Sequence, residues 1–306
     1  MTTPTRFVDW SCAVLARVPS VTLAALFVRL GIFVYPFFWR RDFRFRADVI
    51  ATVLHESLEQ AGVIAISSYA AQLRFWVDTT LMAFGGQRFV EQRLNQFRCA
   101  DRSVIALIRE TTKPVVLIGL HMGSYLAGAV KLAECIGNKK ALATFSLGGR
   151  GELESRAYAH VRTFVEKFEV IPVDDRAFVR ARTLLRQGTV VGTFLDLPDE
   201  YGRTQSCEML GWTANLLRAP LLLAATTGSL VVALVTFCDA NGIDNLVLCA
   251  PEDASPRANE TLAARIERVG EYASRSLGGY IRRTPGNWLQ WPIAQSIFVR
   301  PVGPQH

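Results

Sequence analysis

Four histidines stand in the chain, at positions 55, 121, 160 and 306, and only one sits where chemistry is commonly done. His121 closes the apolar run Val115–Leu120 and opens the stretch L-H-M-G-S-Y-L. An unbroken apolar run of this length suits a strand buried on both faces. The imidazole then falls at the strand's carboxyl end, immediately before a helix, and open α/β sheets gather their ligands at that edge. A histidine placed there can serve as a general base near neutral pH without any tuning. Gly123 and Ser124 allow a tight turn and a helix cap beside it, which makes both candidates for contact with substrate. The plain alternative is a histidine that caps or packs at a strand end. His55 and His160 lie in helical patterns beside charged residues and invite no such reading.

Asp196 marks a second edge. The run T-V-V-G-T-F-L (189–195) leads directly into Asp196-Leu197-Pro198-Asp199-Glu200-Tyr201-Gly202. An acid at a strand's end can orient a base or bind a donor, with Asp199 as a second binding candidate. Equally, aspartate before a proline-containing turn can simply cap the loop. No spacing sets histidines beside these acids, so a metal is not expected, and no cofactor-binding pattern accompanies them. A third feature is Leu147-Gly148-Gly149-Arg150-Gly151, between a strand and a helix that carries Arg156. Its glycines admit close backbone approach, and Arg150 and Arg156 are placed to grip phosphate or an acidic protein face. It lacks the G-K-[ST] of a P-loop. Thr-Phe-Ser-Leu-Gly-Gly before it misses the nucleophile elbow, because Thr144 occupies the first glycine position, so a Ser–His hydrolase is poorly supported.

Such residues need a scaffold that brings distant strand ends together. Apolar runs at 115–120, 141–147, 169–173, 189–195, 230–237 and 245–250 alternate with helical patterns near 125–136, 152–167, 176–187, 213–227 and 257–277. Alternation of this kind predicts an α/β fold with a mainly parallel central sheet flanked by helices. Residues 47–97 read as helical, with a break at Gly85-Gly86. Ahead of them Val18–Trp39 is apolar and long enough to cross a bilayer, although Arg29 interrupts it. The segment that follows mixes Arg40, Arg41, Arg44 and Arg46 with Trp39, Phe43 and Phe45, a combination suited to lipid headgroups. No small-residue cleavage site follows the apolar stretch, so it is not a standard signal peptide. The division expected is therefore a membrane-associating helical arm over 1–46 and one α/β domain over 47–306, held at the cytoplasmic face of the cytoplasmic membrane.

Charge points the same way. The 306 residues carry 34 Lys and Arg against 27 Asp and Glu, a net +7, which favours anionic lipid, a phosphorylated substrate or an acidic carrier protein. No RNP, zinc-finger or helix-turn-helix pattern supports nucleic acid. The six cysteines show no CxxC and read as reduced core thiols.

Taken together, these motifs resemble the lipid A biosynthesis acyltransferases, late acyltransferases of the wider lysophospholipid-acyltransferase-like group. The resemblance rests on the hydrophobic N-terminal segment, G-L-H-M-G-S-Y, R-Q-G-T-V-V-G-T-F-L-D-L-P (186–198) and P-G-N-W-L-Q-W (285–291), in that order over roughly residues 10–295. Leu210-Gly211-Trp212 also follows the family's pattern and brings Gly211 into the substrate-binding set. The resemblance implies transfer of an acyl chain from an acyl carrier protein or coenzyme A thioester to a hydroxyl or amine of a lipid or amphiphile, with His121 as base. The family's H-x4-D/E signature is broken, since Leu126 stands five residues after His121. Asp196 is the nearest candidate to replace the acid, and Leu126 is expected to face the same pocket. The other course is a member with altered or lost catalysis that binds acyl chains or carrier protein.

Overall fold

A computed structural model describes residues 4–99, 101–146 and 151–301. Five helices come first: α1 (Pro4–Arg17), α2 (Val21–Phe38), α3 (Arg40–Leu54), α4 (Leu58–Phe84) and α5 (Gly86–Asn95). Strand and helix then alternate through β1 (Phe97–Cys99), α6 (Arg102–Glu110), β2 (Val115–Gly119), α7 (Tyr125–Ile136), β3 (Leu142–Ser146), α8 (Gly151–Ala159), β4 (Phe168–Pro172), α9 (Ala177–Arg186) and β5 (Val190–Phe194). The chain continues with β6 (Thr204–Met209), β7 (Trp212–Leu217), α10 (Arg218–Thr227), β8 (Leu230–Cys238), β9 (Asp244–Leu248), β10 (Glu252–Asp253), α11 (Leu262–Arg283), α12 (Ala294–Ile297) and β11 (Phe298–Pro301).

The main sheet runs β1-β9-β8-β2-β5-β3-β4, with β10 added beside β8. Its central strands are parallel, and β9 turns antiparallel to β8. All of β2 is buried, as a strand covered on both faces must be. Its side chains alternate between two cores. Val116 and Ile118 join the layer under α9, α10 and α11, while Val115 and Leu117 join the layer under α6 and α7. The register of β2 on β5 pairs Gly119 with Phe194. Two residues beyond that matched pair stand His121 on one strand and Asp196 on the other, so the ladder itself delivers them side by side.

One expectation is corrected by the fold. The helix foreseen from 213 starts only at Arg218, because Trp212–Leu217 is strand β7, paired to β6 and β11 in a small antiparallel sheet. The β6–β7 connection is a two-residue turn with both central residues at positive φ, Leu210 at 60° and Gly211 at 84°, the primed geometry that suits a hairpin. The division expected at residue 46 falls inside α3. Helices α1 and α2 pack on α4 through Val8, Leu15, Phe27 and Tyr35 against Tyr69, Leu73 and Val77, so the N-terminal helices share a core with the α/β body.

Candidate active site

His121 and Asp196 meet at the carboxyl ends of β2 and β5. The His121 backbone N–H donates to Asp196 Oδ2 at 2.9 Å, and its Nδ1 lies 2.8 Å from Oδ1. An ionised carboxylate only accepts, so a neutral imidazole must carry its proton on Nδ1 and leave Nε2 with the lone pair. That is the tautomer a general base needs. The ring stacks on Phe194 at 4.2 Å and takes the edge of Tyr125 at 5.1 Å, which fixes its plane.

Residues near 287 clasp the histidine turn from above. Gly123 N–H donates to the Asn287 carbonyl and Leu289 N–H to the His121 carbonyl, each at 2.8 Å, with a Met122–Trp288 bridge between. Gly123 has φ +52°, and a Cβ there would sit 2.8 Å from the Thr236 carbonyl oxygen. Glycine at 123 therefore shapes the turn. The Trp288 indole N–H completes the arrangement by donating to Asp196 Oδ2 at 2.8 Å.

The His121 side chain borders a cavity of about 480 Å³ whose walls include Tyr125, Phe145, Tyr158, Phe178 and Leu223. Burial pushes the Tyr158 phenol up, which keeps it neutral against this wall. A narrower, almost wholly apolar space of about 70 Å³ shares Tyr125, Tyr158 and Phe194 with it and runs between the sheet and α7 towards Leu132 and Val161. Among polar groups, Glu154, Asp174, Thr193 and Tyr201 lie at the cavity's wall.

Ser124 does not cap α7 with its side chain. Its hydroxyl donates to Asp78 at 2.8 Å, because a stronger acceptor is waiting: Arg93 binds the same carboxylate at 2.7 Å. Arg93 Nη1 also lies 2.7 Å from Asp244 in an ion pair whose N–H is poorly aligned for a hydrogen bond, and Arg74 reaches Asp244 at 2.8 Å. Burial pulls the Arg93 guanidinium down, and the two aspartates more than reverse this, so it is held above its ordinary value. Ser124 thus belongs to a buried ionic cluster on the far side of the turn.

The remaining expected contacts disperse. Asp199 is exposed on a short turn and is not part of the cavity wall. Gly211 forms the β6–β7 turn and borders a separate groove of about 600 Å³ along α11, since the hairpin carries it away from the sheet edge. Arg156 is exposed with its guanidinium 5.0 Å from the Phe84 ring, a cation–π contact, and does not line the cavity. Arg150 lies outside the described residues. Leu126 is 1% exposed and packs with Val130 and Leu132 in the core, so it does not face the cavity. A carboxylate at 126 would enter apolar packing instead of meeting the imidazole. Among the described residues no group of three or more His, Cys, Asp or Glu is placed to hold a metal. Trp288 stood in a motif without a role, and Tyr125 and Phe194 stood beside the two strand ends; adjacency to His121 and Asp196 was their only signal.

The chain matches no model of a known protein family, and no curated protein matches it.

Proposed function

We propose that this protein is an acyltransferase, moving a fatty acyl chain from a carrier-protein or coenzyme A thioester to a hydroxyl or amine of a lipid or amphiphilic acceptor. The observation that supports it is a His–Asp pair, bonded through Nδ1, at the wall of a mostly apolar cavity that shares Tyr125, Tyr158 and Phe194 with a narrower apolar space in the core. His121 Nε2 takes the proton of the acceptor O–H or N–H as its oxygen or nitrogen attacks the thioester carbonyl. The new ester or amide bond forms, the C–S bond breaks, and the imidazolium returns the proton to the departing thiolate. Asp196 stabilises that imidazolium and holds the ring, the part played by the acid in a Ser-His-Asp triad. The acyl chain occupies the apolar cavity.

The N-terminal helices fit an acceptor drawn from a membrane. Leu26, Leu30, Phe33 and Phe37 share one exposed face of α2, with Phe33 71% exposed, while Ala24, Phe27, Gly31 and Tyr35 on the opposite face are buried. Arg40, Arg41 and Arg44 are exposed at the start of α3, where α2 ends. An apolar stripe followed by guanidiniums suits a helix lying in the headgroup layer, and the proposed place is the cytoplasmic face of the cytoplasmic membrane. Arg46 is not part of this face, because it is buried.

The test is incubation with anionic vesicles and acyl carrier protein loaded with a labelled acyl chain, alongside the acyl-coenzyme A. Label should move to an amphiphile, and His121→Ala should abolish transfer while leaving the fold intact. Full transfer by His121→Ala would sink the mechanism. Saturable donor binding with no turnover would instead favour a carrier- or acyl-binding protein.

A further inference from the structure

We infer that Trp288 is a positioning residue for the His121–Asp196 pair, itself held in place by Ser68 and the buried Arg46. The inference rests on the acyl-transfer reading for its kinetic consequence, though not for its structural one.

Asp196 is fully buried, and among the described residues no lysine or arginine pairs with it. Its two oxygens take three N–H groups: the backbone and ring N–H of His121 and the indole N–H of Trp288. Two of the three donors come from the residue that has to be oriented. Among the described residues the indole is the one donor to the carboxylate that comes from outside His121. Without it, Oδ2 would keep only the His121 main-chain N–H, and the carboxylate and the ring it orients would be held less firmly.

Trp288 is well suited to hold still. Its ring is fully buried and packs edge-to-face on Trp291 at 4.7 Å and on Phe298 at 5.8 Å. Its carbonyl accepts from Ser68 Oγ at 3.2 Å, and Ser68 Oγ in turn accepts from Arg46 Nη1 at 3.0 Å. Arg46 is 2% exposed, paired with Asp42 and lying over the Tyr35 ring. Burying a guanidinium is unfavourable unless its N–H groups find partners. Here one of them meets the serine that holds Trp288. Gly286 lets the clasp approach α4 this closely, since a Cβ there would sit 2.6 Å from Ser67 Cβ. Arg46, Ser68 and Trp288 thus form a relay of contacts, each holding the next, whose last member meets the carboxylate.

A core tryptophan of purely structural value would behave differently from a positioning one. Replacing Trp288 by benzothienylalanine keeps the shape of the indole and removes only the N–H; Trp288→Phe is the simpler companion. The expected result is a near-normal Tm and KM with kcat about 10- to 100-fold lower, the scale of one lost hydrogen bond to a charged group. The downfield proton NMR resonance of the His121 Nδ1–H should move or broaden in both variants. Ser68→Ala should move it the same way with kcat about 3- to 10-fold lower, as for one lost neutral hydrogen bond. Wild-type kcat together with an unmoved resonance in the benzothienylalanine protein would overturn the inference. An unmoved resonance in Ser68→Ala would remove Ser68 and Arg46 from it. If wild-type protein transfers no acyl chain, the acyltransferase reading fails while the resonance still decides this one.

Discussion

Two buried charge clusters flank the turn from His121 to Tyr125, and they are built on opposite principles. On one side Arg93 and Arg74 meet Asp78 and Asp244, and Ser124 adds a hydroxyl. Cations and anions balance there. On the other side Asp196 meets, among the described residues, no cation and only N–H donors, and its principal partner is the His121 ring, bound through Nδ1. The first cluster satisfies its charges internally and joins α4, α5, α7 and β9. The second includes a histidine that borders a cavity. Burial and ion pairing alone mark structure as readily as function. On the proposed mechanism, what separates the two clusters is whether a proton can move.

The contrast can be broken most directly at Asp196. Asp196→Asn keeps the shape but presents an amide that can donate to Nδ1, which favours the tautomer with its proton on Nε2. Acyl transfer should fall by about 10³- to 10⁴-fold, the scale seen when a triad acid becomes an amide. Steady-state kinetics alongside a melting curve check it. A large loss of stability with transfer retained would make Asp196 resemble its neighbours in the ionic cluster. Next in size is Arg93→Met, which takes the cation from Asp78 and leaves Asp244 with Arg74 alone. It should destabilise the fold by about 3–5 kcal/mol, read from the denaturation midpoint, with kcat per folded molecule nearly unchanged. A collapse of kcat at normal stability would mean that the ionic cluster takes part in the chemistry. The smallest effect belongs to Ser124→Ala, which removes a hydroxyl from a cluster already rich in partners. A loss of about 1 kcal/mol is expected, with wild-type KM. A raised KM would return Ser124 to the substrate side of the turn.

The sequence made one half of this site legible and concealed the other. His121 and Asp196 could be found because each follows an unbroken apolar run, and such runs end at a sheet's carboxyl edge. Their pairing depends on the β2–β5 register, which no local pattern states, yet both stand two residues past a matched pair. The position of Leu126 was misleading, because a motif spacing says nothing about which face of α7 turns inward. Strand β7 was taken for helix because Trp212–Leu217 runs almost directly into the apolar Leu221–Ala225, and short apolar runs carry no decisive period. Arg46 looked like its exposed neighbours in composition. Only Ser68, Gln72 and Tyr35, on other elements, show that it points inward. Trp288 was hidden by distance: its partners lie 92 and 220 positions away.

That distance also sets an order of assembly on the ribosome. At about 5–20 residues per second, roughly 5–18 s of translation separate Asp196 from Trp288. Throughout that interval the growing chain holds both His121 and Asp196 but lacks Trp288. The nascent protein has already made α2 and its apolar face, so under the proposed function it could meet a lipid surface before its imidazole is held in place. Such a molecule would reach its site of action unfinished, and the tail that secures the base would complete it there.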